Sequence, residues 1–398
     1  MLSIEEKTAL KPAGLTDPSS SRSDSVELEH TGPGTLAGRY LRMFWQPIFL
    51  ASNLLQGRPQ PVRVMSESFT LYRGESGAPY LVAPVCPHRQ TQLSVGWVEG
   101  ENIRCFYHGW MFDGAGKCVE QPAEPKPFCD KVPIRSYPTR ERFGLIFAYL
   151  GEGEPPEFPR FPEFEKSEGF LWTETVKRHC NFFQNLENAV DTVHVGFVHR
   201  THSGSHDGRF DSPLCYAEEG DWGVVYDTKR KSGAHRTTLI GMPNTFNLIL
   251  LSFEDHAEAM WQEAVSWYIP VDDESHVTFM MRRFLVSNEE AQPIIDRIRA
   301  TISGRTANHE ELARAILAGK LRLEDVDSAS TDYFRLQDDI AQMGQGAITN
   351  RRFDRLGQSD AGVIMVRKLW TRELKALAAG EPLKQWRRPA DLAPRNHV

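Results

Sequence analysis

Residues 86–110 read CPHRQTQLSVGWVEGENIRCFYHGW and carry two short Cys/His patterns. Cys86 and His88 form a Cys-x-His pair, and Cys105 and His108 form a Cys-x-x-His pair after sixteen intervening residues. Two thiolates and two imidazoles can close a tetrahedral zinc site or divide between the two irons of a [2Fe-2S] cluster. Zinc fingers usually pair Cys with Cys and His with His, whereas each loop here supplies one of each. The spacing therefore favours the iron-sulfur cluster, with structural zinc as the alternative.

The composition is that of an acidic globular chain. Its 398 residues include 46 Lys+Arg and 53 Asp+Glu, which gives a formal net charge of -7. Such a chain has no global basic field with which to bind nucleic acid or an anionic membrane surface. Its apolar stretches are shorter than the roughly 18–20 residues that cross a bilayer, and six cysteines are too few for a disulfide framework. We expect a cytoplasmic protein with neither a membrane nor a nucleic-acid partner.

Hydrophobic patterning divides the chain into three parts. Residues 1–40 are rich in Ser, Thr, Pro and Gly and predict a flexible arm. Residues 41–152 contain short apolar runs punctuated by Gly, Pro and Asp, which predict an all-β domain with the Cys/His loops at hairpin tips. Residues 153–398 show strand-like runs followed by helical stretches and predict an α+β domain. The predicted strands are Trp222–Lys229, Thr237–Ile240, Phe246–Phe253, Ala264–Ile269 and His276–Val286, and the predicted helices are 289–303, 308–319 and one from an N-cap at Ser359 to Gly380.

The second domain contains NFFQNLENAVDTVHVGFVHR at residues 181–200. Asp191, His194 and His199 give the spacing Asp-x₂-His-x₄-His. On a regular helix His199 lies roughly 140° round from His194, so both rings can bind one metal only where the helix is distorted or ends. Taken alone, two structural histidines are the simpler interpretation. Beside an electron-carrying cluster, the pattern indicates a two-histidine, one-carboxylate Fe(II) site whose open positions admit dioxygen.

Together these motifs resemble the Rieske non-haem iron oxygenases over most of residues 40–380. The loops at 86–89 and 105–110 are similar to the two cluster loops of the Rieske domain, and LQDDIAQMGQGAITNRRFDRLGQSDAGVIMVRKLW at 336–370 is similar to the phthalate-dioxygenase-like group. The resemblance implies an oxygenase (alpha) component with an N-terminal all-β Rieske domain and a C-terminal helix-grip, START-like domain of antiparallel sheet and helices. It implies that one cluster iron is held by Cys86 and Cys105, the other by His88 and His108, and a mononuclear Fe(II) by His194, His199 and Asp338.

Three positions are less sharply assigned by the resemblance. Asp339 is adjacent to Asp338 and is the alternative carboxylate ligand. Asn188 matches an asparagine that lies near the iron in some relatives, and a local capping role is the alternative. Gln90 departs from the family pattern, in which many members have Gly after the His-Arg pair.

Asp191 is implied to connect the two metal centres. In a ring-shaped homotrimer the cluster of one subunit lies near the iron of the next, and Asp191 would accept the remaining ring N–H of His194 and of a neighbouring subunit's His108. A simple helix cap is the alternative role for this carboxylate.

The implied activity is that of a multicomponent oxygenase. The cluster delivers electrons to the iron, where dioxygen is activated to hydroxylate, cis-dihydroxylate or oxidatively dealkylate a hydrophobic aromatic substrate. Because the sequence contains no GxGxxG fingerprint, a separate NAD(P)H reductase is expected, with or without a ferredoxin. Arg89, Arg104 and Lys117 are candidates for its docking patch, or are ordinary surface charges. The competing interpretation is a non-catalytic Rieske electron carrier fused to a ligand-binding domain.

Residues that contact the substrate are the least constrained by the sequence. Arg200, Arg209 and Arg236 are candidates for pairing with a substrate carboxylate. Alternating apolar residues in strands more often form core than line a pocket. The apolar and aromatic residues that could form core or line a pocket are Phe246, Leu248, Leu250, Trp261, Trp267, Phe279 and Met281.

Overall fold

The computed structural model describes residues 27–165, 169–200, 213–231, 233, 235–249, 261–284, 308–327 and 331–389, with a few positions between 292 and 299. It has an α+β architecture in which a domain of small antiparallel sheets is followed by one large antiparallel sheet with helices. No helix within these ranges combines the length and the hydropathy needed to cross a bilayer.

The helices of the described ranges begin at side-chain caps in several cases. The side-chain oxygens of Thr35, Asn181, Asn308 and Asp332 each accept a backbone N–H of the first turn that follows, which satisfies donors that a helix leaves free at its start. The helices are α1 (Leu36–Arg42), α2 (Pro162–Glu165), α3 (Phe182–Ala189), α4 (Val193–Val198), α5 (His309–Leu317), α6 (Tyr333–Met343) and α7 (Ala361–Ala379).

Three antiparallel sheets build the first domain, in the orders β1-β11-β10, β2-β3-β4-β9 and β5-β6-β7-β8. The third sheet carries the second Cys/His loop between β6 and β7, so the predicted position at a hairpin tip is confirmed there. The strands are β1 (Trp45–Leu50), β2 (Gln60–Val64), β3 (Glu67–Arg73), β4 (Pro79–Val82), β5 (Trp97–Glu99), β6 (Asn102–Arg104), β7 (Met111–Phe112), β8 (Cys118–Glu120), β9 (Ser136–Tyr137), β10 (Thr139–Arg142) and β11 (Leu145–Tyr149).

A seven-stranded antiparallel sheet forms the second domain, in the order β12-β18-β17-β16-β15-β14-β13. The predicted strand runs lie in this sheet, although the predicted ends at Phe253 and Val286 fall outside the described residues, as does most of the predicted helix 289–303. The strands are β12 (Phe170–Arg178), β13 (Leu214–Glu219), β14 (Gly223–Lys229), β15 (His235–Gly241), β16 (Thr245–Ile249), β17 (Trp261–Pro270) and β18 (His276–Phe284).

The two faces of the large sheet have different neighbours. Trp267 packs edge-on against Phe147 of β11, with ring centroids 5.7 Å apart. Phe279 and Met281 share the face of Trp267, because side chains alternate along a strand and Phe279 pairs with Trp267 in the register. These three residues are therefore core between the domains, which is the role that strand alternation favoured over pocket lining. Phe246 lies on the opposite face, the side of the helices.

Part of the predicted N-terminal arm belongs to the core. Residues 1–26 lie outside the described residues, but α1 begins at Leu36, before the predicted boundary at residue 40. Tyr40 is fully buried, packs on Trp370 of α7 at 5.3 Å between ring centroids, and accepts a hydrogen bond from Trp386 Nε1 at 2.9 Å. The Ser- and Gly-rich composition of residues 1–40 concealed a short helix, most of whose residues are buried.

The last helix starts later than predicted. Ser359 lies in a short 3₁₀ turn, Gln358–Asp360, and Asp360 rather than Ser359 precedes the first helical residue. Asp360 Oδ2 accepts the Gly357 N–H at 2.7 Å and closes this turn. The predicted end is confirmed, because Gly380 follows the helix with a φ of 71°, in the left-handed region where Gly is unstrained.

Candidate metal centres

The first cluster loop is a turn that closes on Cys86. Val85 and Gln92 form an isolated β-bridge at its base. Within it, the Cys86 N–H donates to Thr91 O at 2.8 Å and the Gln90 N–H donates to Cys86 O at 2.9 Å. Gln90 has a φ of 61°, which is uncommon for residues other than Gly. The departure from the family pattern thus falls on a position where the backbone favours Gly.

The second cluster loop repeats this closure around Cys105. Its N–H donates to Trp110 O at 2.8 Å, and the Gly109 N–H donates to Cys105 O at 3.1 Å. Gly109 has a φ of 74°, and an added Cβ would lie only 3.0 Å from Pro122 Cγ. Both loops therefore hold their Cys at the base of a backbone turn and carry the His on the turn itself.

The four side chains come together in like pairs. Cys86 and Cys105 are 1% and 2% exposed, and burial, with a contribution from Cys105, raises the pKa of the Cys86 thiol to about 12. The His88 and His108 ring centroids are 4.5 Å apart, and His88 stacks on Trp110. His88 Nδ1 is buried without a hydrogen-bond partner among the described residues, which is uncommon for a polar atom. Two thiols beside two imidazoles match the donor set of a Rieske [2Fe-2S] cluster.

The second centre forms where α4 ends. His194 lies within this short helix, and His199 follows its last residue with φ -97° and ψ 20°. Because the helix stops before His199, its ring is not held to the direction that a continued helix would impose. The His194 and His199 ring centroids are 5.6 Å apart. The end of the helix therefore lets the two rings approach each other, as binding of one metal by both requires.

Asp338 of α6 completes a group of three at this point. Its Oδ1 lies 3.3 Å from His199 Nε2 and 3.7 Å from His194 Nε2. One donor atom from each of the three residues lies within 4.8 Å of the others, close enough to hold a metal ion. Asp339 is directed elsewhere, since its Oδ1 pairs with Arg178 Nε at 2.6 Å. Two imidazoles and one carboxylate are the donor set of non-haem Fe(II) sites with open positions.

Comparison with known proteins agrees with this pair of centres. Residues 44–138 match the family model described as the Rieske [2Fe-2S] domain. The chain is 31% identical to the 5,5'-dehydrodivanillate O-demethylase oxygenase subunit of Sphingobium sp. over 92% of this chain and 82% of that protein. It is 30% identical to the phenoxybenzoate dioxygenase subunit alpha of Ectopseudomonas oleovorans, over 89% and 85% of the two chains.

This chain belongs to the Rieske non-haem iron oxygenases. A solved complex of the oxygenase and ferredoxin of carbazole 1,9a-dioxygenase has the same fold, with a TM-score of 0.61 and 17% identity over 87% of this chain and 94% of that one. As an oxygenase subunit of this family, the protein carries a [2Fe-2S] cluster in its first domain and a mononuclear iron in its second. The electron-carrier interpretation without catalysis is thereby set aside.

The electrostatics of the oxygenase site suit metal binding. Burial alone raises the pKa of Asp338, but the contact with His199 and the Arg178 cation outweigh it, and the pKa lies below its usual value. Burial lowers the pKa of His194, and the nearby carboxylates do not reverse this. Near neutral pH the site therefore offers a carboxylate and a neutral imidazole, which are the forms that ligate a metal.

Two residues that the sequence did not single out position His199. Its Nδ1–H donates to Gln337 Oε1 at 2.9 Å, which leaves Nε2 as the atom that faces Asp338. The ring also stacks on Phe334 at 3.5 Å between centroids. Metal-binding histidines usually donate their second N–H to a fixed acceptor. The sequence signal for Gln337 was therefore that it is a hydrogen-bond acceptor directly before the proposed ligand Asp338.

Asn188 and Asp191 both lie at the edge of the oxygenase site. Asn188 Nδ2 is 3.5 Å from Asp338 Oδ1. Asp191 Oδ1 accepts the N–H groups of Val193 and His194 at 2.9 and 3.2 Å, so it does cap α4. Its other oxygen lies 3.8 Å from His194 Nδ1, which is beyond a direct hydrogen bond.

The basic residues around the cluster differ in whether their charges are available to a docking partner. Arg104 pairs with Glu99 and Glu120, each at 2.7 Å, and donates to Gly109 O at 2.8 Å. It therefore braces the second loop from inside the domain and is not a free docking charge. Arg89 lies over the Tyr107 ring at 5.1 Å from its centroid.

Proposed function

We propose that this chain is the oxygenase component of a system that uses dioxygen to hydroxylate, dihydroxylate or oxidatively dealkylate a hydrophobic aromatic substrate. The observation that carries the proposal is the convergence of His194, His199 and Asp338 in a chain with a Rieske domain. The two similar proteins named above are an O-demethylase and a dioxygenase, so their names support both dealkylation and ring oxygenation for this site.

The metal ligands in this proposal are those that the geometry brings together. When bound, the two groups supply one-electron transfer and the activation of dioxygen. The protein contributes buried thiols on two closed loops, the imidazoles of His194 and His199, and the carboxylate of Asp338. The proposed ligands are Cys86, His88, Cys105 and His108 for the cluster, and His194, His199 and Asp338 for the mononuclear iron.

We further propose that electrons come from a separate NAD(P)H reductase, directly or through a ferredoxin. The sequence lacks the dinucleotide fingerprint of a reductase, and the structurally similar carbazole oxygenase has been solved with its ferredoxin. The exposed aromatic side chains of Phe106 and Tyr107, 57% and 50% exposed beside the second loop, are consistent with a surface on which another protein docks.

The proposed assembly is a homotrimer in which Asp191 connects neighbouring centres. Asp191 combines two properties that this role needs: its side chain is partly exposed, and one oxygen faces His194 Nδ1. In this proposal Asp191 orients the His194 ring from the side of Nδ1 and does not bind the metal itself. Asn188 has a related positioning role towards Asp338.

Turnover under labelled dioxygen tests the function directly. The metal-loaded oxygenase and a surrogate reductase are supplied with NADH and a panel of aromatic ethers, N-methyl aromatics and simple arenes. We expect label from dioxygen in a hydroxylated product, in a cis-diol, or in the aldehyde released on dealkylation. Oxidation of NADH with only peroxide or water formed, across the whole panel, would contradict the proposal.

One Asp191 variant, with a control at another residue, separates bridging from capping. Asp191→Asn keeps an oxygen that accepts the Val193 and His194 N–H groups but removes the charge that faces His194. We expect normal cluster and iron content with turnover lowered by roughly 100-fold. Asp272→Ala, which removes a turn-capping carboxylate elsewhere, is the control and should retain turnover. An Asp191→Asn enzyme of full activity would show that this residue is only a cap.

A further inference from the structure

The first domain contains two cysteines besides the proposed cluster ligands. Cys118 lies in β8, and Cys129 begins a short 3₁₀ turn, Cys129–Lys131. Both side chains are thiols rather than halves of a disulfide. The domain that holds the cluster therefore carries a second pair of sulfur atoms whose role the cluster does not explain.

The two thiols lie beside each other. Cα atoms of the 3₁₀ turn approach those of β8 to within 8 Å, and Cys129 packs against the group of buried residues to which Cys118 belongs. Burial, followed by contact with the Cys129 thiol, raises the pKa of Cys118 to about 12. Two cysteines in contact on neighbouring segments have the starting geometry for a disulfide.

The two thiols differ in their access to solvent. Cys118 is 0% exposed, whereas Cys129 is partly exposed. An oxidant in solution therefore reaches Cys129 first. The sulfur it oxidises already has a second thiol beside it, which is the arrangement in which a sulfenic acid is converted to a disulfide rather than oxidised further.

The segment between the two cysteines, residues 119–128, covers the second cluster loop. An added Cβ on Gly109 would lie only 3.0 Å from Pro122 Cγ, so this part of the segment rests on the loop backbone. At its other end the Phe128 ring packs edge-on against Trp110, at 5.4 Å between centroids. Trp110 in turn stacks on the histidine of the first loop. We call residues 119–128 the cover segment.

We propose that Cys118 and Cys129 form a reversible modification site, at which hydrogen peroxide joins them in a disulfide that clamps the cover segment over the cluster loops. Peroxide oxidises the Cys129 sulfur to a sulfenic acid and releases one water. The Cys118 sulfur then bonds to the Cys129 sulfur, and the hydroxyl leaves as a second water. The two thiols lose two electrons and two protons in total, and the peroxide is reduced to two waters. The new bond fixes the two ends of the cover segment to each other and so restricts its opening.

Peptide mapping of the intact, cluster-loaded protein tests the modification. The protein is treated in air with increasing hydrogen peroxide, the peroxide is removed with catalase, and the remaining thiols are alkylated. We expect a linked Cys118–Cys129 peptide that dithiothreitol separates, while Cys180 and Cys215, both buried in the second domain, remain alkylatable on unfolding. Cys129→Ser should form no such link, and Cys215→Ser, the matched control, should form it as the wild type does.

The rate of cluster loss to an iron chelator tests the clamp. Cluster absorbance should decay more slowly in the disulfide form than in the reduced form, by about threefold or more. Peroxide treatment should leave this rate unchanged in Cys129→Ser. If that variant does not fold, reversal of the wild-type rate by dithiothreitol provides the same comparison.

Three results would overturn the proposal. These are Cys118 and Cys129 thiols that stay fully alkylatable after peroxide, a link between Cys86 and Cys105 in place of the expected one, or equal rates of cluster loss in the two forms. The experiment uses neither substrate nor reductase, so each of these results is independent of whether the protein oxygenates an aromatic substrate.

Discussion

The hydrogen bond from His199 to Gln337 gives a sharp prediction about metal affinity. In Gln337→Leu the side chain keeps a similar size but has no acceptor for His199 Nδ1–H. The wild-type contact is 2.9 Å long, and Gln337 is 3% exposed, so water has little access to replace the lost acceptor. The ring then loses the interaction that fixes which nitrogen faces Asp338.

The size of the effect follows from this geometry. A buried donor left without its acceptor costs about 1–3 kcal/mol, and loss of an acceptor behind a metal-binding histidine lowers metal affinity roughly 10- to 100-fold. Stacking on Phe334 still holds the plane of the ring, so we expect the lower half of this range, about 10- to 30-fold.

Anaerobic Fe(II) titration against a competing chelator measures this affinity. Gln337→Glu is the matched variant, because its carboxylate still accepts from Nδ1–H, and its affinity should stay within about threefold of wild type. The cluster absorbance, which depends on the other domain, should be the same in all three proteins. Equal affinity in wild type and Gln337→Leu, or an equal loss in both variants, would refute this account of His199.

Two further predictions concern stability. Gly96→Ala should lower the free energy of unfolding by about 1–3 kcal/mol and reduce cluster incorporation, because the added Cβ would lie 2.1 Å from Arg104 O. Chemical denaturation measures this loss. Gly357→Ala is the control and should show no comparable loss, because its Cβ would have one atom within 4 Å, at 3.8 Å. The hydrogen bond from Arg372 lowers the pKa of Glu219 from 4.5 to about 2, so its stabilisation is complete above pH 4.5 and is lost as the pH falls towards 2. The difference in stability between wild type and Glu219→Gln should therefore shrink over that interval, and a constant difference would contradict the assignment.

The cluster loops were readable from the sequence because their chemistry is local. Each loop places one Cys and one His within a few residues, and the donors can be identified without knowing the fold. The left-handed backbone conformation of Gln90 could not be predicted from local chemistry. Its side chain gives no sign of a positive φ, and only comparison with Gly in relatives suggested that this position is unusual.

The mononuclear site depends on contacts that are distant in sequence. Spacing alone could not choose between Asp338 and Asp339, which are adjacent on one helix. The structure distinguishes them because Arg178, from β12, pairs with Asp339 and leaves Asp338 facing the histidines. The sequence left the pocket role of the strand residues open for a related reason: alternation identified which residues share a face, but not that the face of Trp267 packs on the first domain.

Short-range signals also misplaced two boundaries. The Ser- and Gly-rich composition before residue 40 hid α1, whose Tyr40 is buried by Trp370 from the far end of the chain. Ser359 is a good N-cap by residue type, but Asp360 closes the preceding turn through Gly357 and the helix begins one residue later. In both cases tertiary or neighbouring contacts outweighed local preference.

The most direct test of the two-centre account is iron and acid-labile sulfide analysis of the purified wild-type protein beside Asp338→Ala. The wild type should contain about three irons and two sulfides per chain, because a [2Fe-2S] cluster and one mononuclear iron are present. Asp338→Ala should keep both sulfides and fall to about two irons. Three irons in the variant, or only two in a fully loaded wild-type protein, would contradict the assignment of His194, His199 and Asp338 as the mononuclear iron site.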